Sequence, residues 1–290
     1  MTAPTPSPQQ LPPKLAIIGL GLMGGSLGLA AKAHGRHVAA YARRKQSLTE
    51  ALAAEIADEG FESAAEAVKG ADLIVLCTPL LTMPNLVREF LPNLKEGCII
   101  TDVGSTKQYL SEELEKLLAG TPAEFIGSHP MTGSEKNGIE AADAQLYRDA
   151  AVIVTPTANT TDKSKQQVIN FWQELGAQVT EMTPKQHDEI IARTSHLPHL
   201  AAAALMASAD RDKTDITPFC GPGIRDTTRI AEGSEHIWHD IIKTNTEPIL
   251  QELNNLQHTL DNLKTMLEQK NFDAIRQLLA NSRQKRKKLN

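Results

Sequence analysis

The feature that most constrains this chain is an alternation. Short apolar runs (KLAIIG, HVAAYA, DLIVLCTP, CIITDVG, AEFIGSHP and AVIVTPT) are separated by stretches with helical spacing. Continuous apolar runs are how strands read when helices cover both faces of a parallel sheet, so the pattern predicts an α/β, Rossmann-type domain. A further helix and strand, KQQVINFWQELG and AQVTEMT, extend it over residues 14–183. Beyond TPKQHDE the strand signal stops and apolar residues recur every three or four positions, which makes residues 184–290 an all-helical domain. Residues 1–13 are proline-rich, with almost nothing to bury, and read as a tail.

GLGLMGGSLG follows directly on KLAIIG and is the turn from the first strand into the first helix. There Gly19 allows a tight turn, Gly21 lets backbone approach a pyrophosphate, and Gly24 allows close helix packing. The exposed N–H groups at the helix start face the phosphates. Leu22 and Met23 within the turn, with Thr78 and Pro79 at the end of DLIVLCTP, complete the cofactor-binding set. Glycines also mark ordinary turns; the strand before this motif and the helix after it are what favour a dinucleotide.

The second strand bears on which dinucleotide is held. NAD-binding chains carry an acid about twenty residues after the glycines, where it accepts bonds from the ribose hydroxyls. Here the strand ends YARRKQS, with Ala42 in that place and Arg43 and Arg44 after it. Two arginines and no carboxylate suit a 2′-phosphate, so NADP is expected, with NAD still possible; the bland alternative is a solvated loop.

Composition excludes several classes. A chain of 290 residues, 41% hydrophobic and with a net charge of −5, can bury two cores and has no basic field for nucleic acid or an anionic membrane. Small molecules are the expected partners. No stretch approaches the ~18 apolar residues of a membrane span, and MTAPTPSPQQLPP lacks the basic and apolar regions of a signal peptide. A cytoplasmic protein is expected. Cys77 and Cys98 lie inside apolar runs and read as reduced and structural, and no Cys/His cluster has metal-ligand spacing, so no metal is expected.

Three constellations lie past the cofactor turn. TDVGSTK puts Ser105 and Lys107, and GSHPMTGSE puts His129, at the carboxyl ends of strands, where ligands bind in open α/β sheets. His129, stiffened by Pro130, is a candidate base or else a histidine bonded in its loop. TSHLPHLAAAALMASA places Ser195, His196 and His199 on one helix face, and Pro198 should disturb that helix by removing a donor from the Thr194 carbonyl. GPGIRDTTRIA holds Arg225, Asp226 and Arg229, either a grip on a carboxylate or a structural Asp–Arg bridge. By themselves these residues suit a dehydrogenase acting on a carboxylated alcohol. Near the C-terminus, Ile249, Leu253, Leu256, Leu260, Leu263 and Leu267 form a seam for lengthwise helix packing, within the chain or between two copies.

In order and spacing, GLGLMGGSLG, DVGSTK, SHPMTGSE, SHLPHLAA and RDTTRIA followed by IWHD closely resemble the prephenate/arogenate dehydrogenase family of tyrosine biosynthesis. The resemblance implies a dinucleotide-binding α/β domain followed by a C-terminal all-helical dimerisation domain, hence a homodimer. It implies oxidative decarboxylation of prephenate or arogenate, to 4-hydroxyphenylpyruvate or tyrosine, with hydride transfer to NAD(P). His129 would then accept the hydroxyl proton, and Ser105 would orient that histidine and the hydroxyl. His199 would bind substrate with Ser195 and His196 beside it, Arg229 would grip a carboxylate supported by Asp226, Glu135 would gate the pocket mouth, and Trp238 would wall it. Two rivals remain. A β-hydroxyacid-type dehydrogenase needs a helix lysine in its second domain, and none stands between Ala192 and Asp210; a non-catalytic dinucleotide sensor would not need this full set of polar residues.

Overall fold

The computed structural model describes residues 14–133, 138–210 and 215–289. Two of the regions read above, the tail of residues 1–13 and Glu135, lie outside the described residues. The α/β half runs β1 (Lys14–Ile18), α1 (Leu22–Ala33), β2 (His37–Tyr41), α2 (Lys45–Ala53), β3 (Glu59–Phe61), α3 (Ala64–Ala67), β4 (Leu73–Leu76), α4 (Met83–Phe90), β5 (Ile99–Asp102), α5 (Gln108–Leu118) and β6 (Glu124–Phe125). It continues through β7 (Gly127–Pro130), β8 (Ala151–Thr155), α6 (Asp162–Glu174) and β9 (Gln178–Glu181). Helices then follow: α7 (Pro184–Ile191), α8 (Leu197–Ala209), α9 (Pro222–Thr228), α10 (Glu235–Thr244), α11 (Thr246–Glu268) and α12 (Phe272–Arg286). No strand forms after Glu181 among the described residues.

The first six strands make a parallel sheet in the order β3-β2-β1-β4-β5-β6. Successive side chains of a strand point to opposite faces, and here both faces are dry. Leu15, Ile17, Leu73 and Val75 pack with Leu27 of α1 and with Val168, Phe171 and Trp172 of α6. Their neighbours Ala16, Ile18, Ile74 and Leu76 pack with Val87 and Phe90 of α4 and with Leu110 and Leu114 of α5. That two-sided burial is why the strands read as unbroken apolar runs.

One expectation is corrected. AEFIGSHP is not a single strand of the parallel sheet, nor does AVIVTPT join that sheet. β6 closes it at Phe125, and β7 pairs antiparallel with β8, which pairs parallel with β9 in a separate three-stranded sheet. The reason lies at Ser128. Past Ile126 the ladder to β5 gives way to side-chain bonds: Asp102 Oδ1 accepts the Ser128 N–H at 3.1 Å and Ser128 Oγ donates to the Asp102 carbonyl at 2.6 Å. Trp172 Nε1 donates to the same hydroxyl from α6 at 3.0 Å.

α10 ties the helical half to the α/β half. The Leu81 N–H, in the turn before α4, donates to Asp240 Oδ2 at 3.2 Å, and the hydroxyls of Thr106 and Thr244 are 2.8 Å apart. The α11 seam is unevenly covered by its own chain: Ile249 is buried, Leu253, Leu256 and Leu263 are half-buried, and Leu260 and Leu267 are each 55% exposed. All three cysteines are free, and burial pushes the Cys77 and Cys98 thiols well up. No helix among the described residues is long and apolar enough to cross a membrane.

Candidate active site

The glycine turn leaves β1 at the point where the strand order reverses, the crevice between β1 and β4. Gly19 has φ +112° and donates its N–H to the Tyr41 carbonyl at 3.0 Å. A Cβ there would lie 2.8 Å from Thr78 Cγ2 and 2.9 Å from the Cys77 carbonyl. Gly24 presses back on the same turn, because its Cβ would fall 2.0 Å from the Gly19 oxygen. At Gly21, by contrast, a Cβ would meet nothing within 4 Å. Space is open in front of the helix, where the N–H groups of Leu22, Met23 and Gly24 have no intrahelical partner and no acidic side chain occupies the first turn. The Met23 carbonyl is anchored by the Tyr147 hydroxyl at 2.7 Å. Beside the turn, Thr78 Oγ1 is buried without a hydrogen-bond partner among the described residues, and Pro79 follows it, exposed. An open helix start and an orphaned hydroxyl across the crevice fit a dinucleotide pyrophosphate.

At the end of β2, Ala42 is buried and Arg43 and Arg44 are exposed, the latter at the entry to α2. Both guanidinium groups are therefore on the surface at the ribose end of the crevice, with an alanine in the place of the acid.

Ser105 is half-buried in the loop between β5 and α5. His129 is 8% exposed on β7, so it reaches the carboxyl end of the parallel sheet from the second sheet. Its Nδ1 lies 2.8 Å from His187 Nε2, and His187 Nδ1 lies 2.8 Å from Asp188 Oδ1. Asp188 also takes the N–H of Lys107 on Oδ1 and that of Gln108 on Oδ2, at 2.8 and 2.9 Å. With donors on both oxygens, Asp188 is an acceptor, so His187 Nδ1 donates to it. Neutral His187 then accepts at Nε2, and His129 must donate from Nδ1. The lone pair of His129 is left on Nε2. In this structure the ring is therefore oriented by His187; among the described residues Ser105 makes no side-chain hydrogen bond to it.

Burial holds the His129 imidazole well below its ordinary pKa, and the neighbouring His187, Lys107 and His196 add to the effect. Burial lowers His187 too, against the pull of Asp188. Lys107 itself is fully buried, with its ammonium on Asp102 and on the Ser128 carbonyl. Burial pushes both members of that pair toward their neutral forms and their contact opposes it.

In the helical half, Pro198 has the effect its chemistry requires. The helix continues into α8 only through a π-helical turn at Ala192–His196, in which the Leu197 N–H reaches back to the Ala192 carbonyl. His196 and His199 are buried and Ser195 half-buried. Trp238 of α10 stacks on His199, with ring centroids 3.5 Å apart and planes 13° apart, and meets His196 edge-on at 5.9 Å. Burial lowers the pKa of His199, against a backbone hydrogen bond involving Ile230, and that of His196, to about 4. Asp226 is exposed on α9, and Arg229, also exposed, opens the short turn Arg229–Glu232 that packs on α8. Arg225 is turned instead to the Cys220 carbonyl, which accepts from its Nε at 3.0 Å.

The structure thus gathers His129, His196, His199 and Trp238, and separately Gly19, Gly24 and Thr78. Sequence reading missed His187, Asp188 and Asn245, which hold the histidines. His187 and Asp188 stand in TPKQHDE, whose capping box of Thr183 and Gln186 announces a helix start and nothing more. Among the described residues no group of three or more His, Cys, Asp or Glu side chains is arranged to hold a metal ion.

Two family models match the chain: prephenate dehydrogenase, nucleotide-binding domain, over residues 27–181, and prephenate dehydrogenase, dimerization domain, over residues 183–281. A cyclohexadienyl dehydrogenase of Zymomonas mobilis is 32% identical over 267 residues, 90% of each chain. Among solved structures, prephenate dehydrogenase from Aquifex aeolicus, in complex with hydroxyphenyl propionate and NAD+, superposes with a TM-score of 0.90 at 30% identity, over 96% of this chain and 98% of that one. Synechocystis arogenate dehydrogenase gives 0.85 at 27% identity, over 96% and 100%.

Proposed function

From its membership of the prephenate dehydrogenase family, we propose that this chain catalyses the oxidative decarboxylation of prephenate or arogenate with NADP as the favoured acceptor. Its relatives include a cyclohexadienyl dehydrogenase and prephenate dehydrogenases, one of them solved with NAD+; the preference for NADP rests on Arg43, Arg44 and the missing acid at Ala42. When bound, the nicotinamide supplies the hydride acceptor, and loss of carbon dioxide from the ring carbon makes the product aromatic and the step effectively irreversible.

The residues divide the remaining work. Gly19, Gly21, Leu22, Met23 and Gly24, with Thr78 and Pro79, hold the dinucleotide. His129 takes the proton of the ring hydroxyl on Nε2, and Ser105, from the loop between β5 and α5, orients that histidine and the hydroxyl. Ser195, His196 and His199 bind the substrate on the helical side, Trp238 walls it, and Arg229 with Asp226 takes a carboxylate. A base that must be free of its own proton at neutral pH is best kept uncharged, which burial among His187, Lys107 and His196 achieves for His129.

We read the exposed seam of α11 as the face of a homodimer and residues 184–290 as the domain that forms it, in a cytoplasmic enzyme. The observation that carries the functional reading is the Asp188–His187–His129 chain, which leaves a neutral imidazole with its lone pair on Nε2. The test is formation of reduced nicotinamide by purified protein in the four pairings of prephenate or arogenate with NAD or NADP. Activity is expected with at least one NADP pairing. Silence in all four, with cofactor still bound, would overturn the reading.

A further inference from the structure

His196 and Asn245 are both buried, at 1% and 2% exposure, so protein groups set their hydrogen bonds. Asn245 Nδ2 lies 2.9 Å from the Asp188 carbonyl oxygen and 3.0 Å from His196 Nδ1. A backbone carbonyl only accepts, so the amide nitrogen, not the amide oxygen, faces it. The two hydrogens of that nitrogen are then spent on the Asp188 carbonyl and on His196 Nδ1, which accepts. A neutral imidazole that accepts at Nδ1 carries its hydrogen at Nε2. That nitrogen is buried and has no hydrogen-bond partner among the described residues.

A buried donor with no acceptor is destabilising, and such groups are rare away from functional sites. This one lies in the cluster of rings that Trp238 makes with His196 and His199. His196 adjoins Trp238, is near enough to His187 and His199 to feel their charge, and acts in turn on His129. We propose that His196 is a substrate-reading residue: its Nε2–H, fixed in that tautomer by Asn245, donates to a carboxylate or carbonyl oxygen of the bound substrate and has nothing to offer an ammonium group. Asn245 is the positioning residue. The identity of the ligand rests on the functional reading above, while the tautomer does not.

Asp188 is the common root of two opposite settings. Through its carboxylate and His187 it leaves a lone pair on His129 Nε2; through its carbonyl and Asn245 it leaves a hydrogen on His196 Nε2. The histidine cluster thereby carries one acceptor and one donor on two chemically identical side chains.

The first arm of the test is long-range proton–nitrogen NMR of the wild-type protein with isotope-labelled histidine at neutral pH, the His196 signal being assigned by its absence in His196→Gln. A protonated Nε2 and a bare Nδ1 are expected; a protonated Nδ1 overturns the inference. The second arm is a double-mutant cycle on the KM of whichever substrate the wild type accepts. His196→Leu and Asn245→Ala should each raise it about tenfold with cofactor KM unchanged, and the double variant should be no worse than His196→Leu alone. Independent, additive effects, or an unchanged KM in His196→Leu, also overturn it. Silence of the wild type in all four substrate–cofactor pairings would sink the functional reading, and the spectrum would still decide the tautomer.

Discussion

His187 Nε2 stands 2.8 Å from His129 Nδ1, and that contact decides which nitrogen of His129 is left to take a proton. A histidine that donates from Nδ1 is a base at Nε2 only while its neighbour stays neutral, and burial keeps His187 so.

Replacing the base should stop turnover and spare binding. For His129→Asn, kcat is expected to fall by about two to four orders of magnitude, the usual range for a general base. Steady-state kinetics beside a cofactor-binding titration check this. A loss of less than about tenfold would move the base elsewhere.

Asp188→Asn tests the chain behind it. An amide nitrogen in place of one oxygen would face a backbone N–H of Lys107 or Gln108, so the start of α5 and the His187 tautomer are disturbed together. Stability should drop by about 1–3 kcal/mol and kcat by more than about tenfold. Chemical denaturation and kinetics on one preparation separate the two effects, and an unchanged kcat would reduce Asp188 to a cap.

The two glycines of the turn should fail differently. Gly24→Ala puts a methyl group 2.0 Å from the Gly19 oxygen, so the fold itself suffers, by about 1–3 kcal/mol or more. Gly21→Ala meets no protein atom within 4 Å and should cost only about 1 kcal/mol as a poorer helix cap, yet weaken the dinucleotide at least tenfold. Equal cofactor affinity in wild type and Gly21→Ala would mean the open space is not the pyrophosphate site.

Cofactor preference is read by Arg43→Ala/Arg44→Ala. Charge-assisted bonds of about 1.5–3 kcal/mol each, less desolvation, predict an NADP KM raised by tens to a thousandfold, with NAD little affected. Parallel changes for both cofactors would return the arginines to the surface of a loop.

The buried histidines should make the protein acid-sensitive. Burial lowers the pKa of His196 to about 4 from an ordinary 6.5, so its folded state refuses a proton that the unfolded chain accepts. The stability this provides is complete above pH 6.5 and is lost as pH falls toward 4, by up to about 3 kcal/mol, with His129 and His187 adding in the same direction. Urea denaturation at pH 7.5, 6 and 5 follows the decline, and His196→Gln should flatten part of it. A flat profile in the wild type would contradict the burial of these rings as neutral groups.

Much of the architecture was legible because its strands are buried on both faces. Leu15–Ile18 and Leu73–Leu76 are at most 1% exposed, and such segments admit few polar residues. β3 escaped notice because it is a three-residue edge strand with Gly60 at its centre. The break at Ile126 was hidden by a side chain as apolar as its neighbours; what ends the ladder is a set of bonds between Ser128 and Asp102, 26 positions apart. Gly19, Gly21 and Gly24 could be read locally, since each works through backbone nearby in space. His187 and Asn245 could not. Their partners lie 58 and 49 positions away in the chain, and a polar residue at a helix start has many ordinary reasons to be there.

The π-helical turn at Ala192–His196 makes the period of the backbone, as well as the identity of the side chains, a property this segment must keep. One residue in an α-helix is worth about 100° of rotation, and a π-helical turn advances by less per residue. A change that let these five residues return to the ordinary period, with none lost, would swing His199 about a quarter turn off the face of Trp238, even though every side chain had been retained. Pro198, which bars a return to the ordinary hydrogen-bond pattern, acts as the lock on that setting.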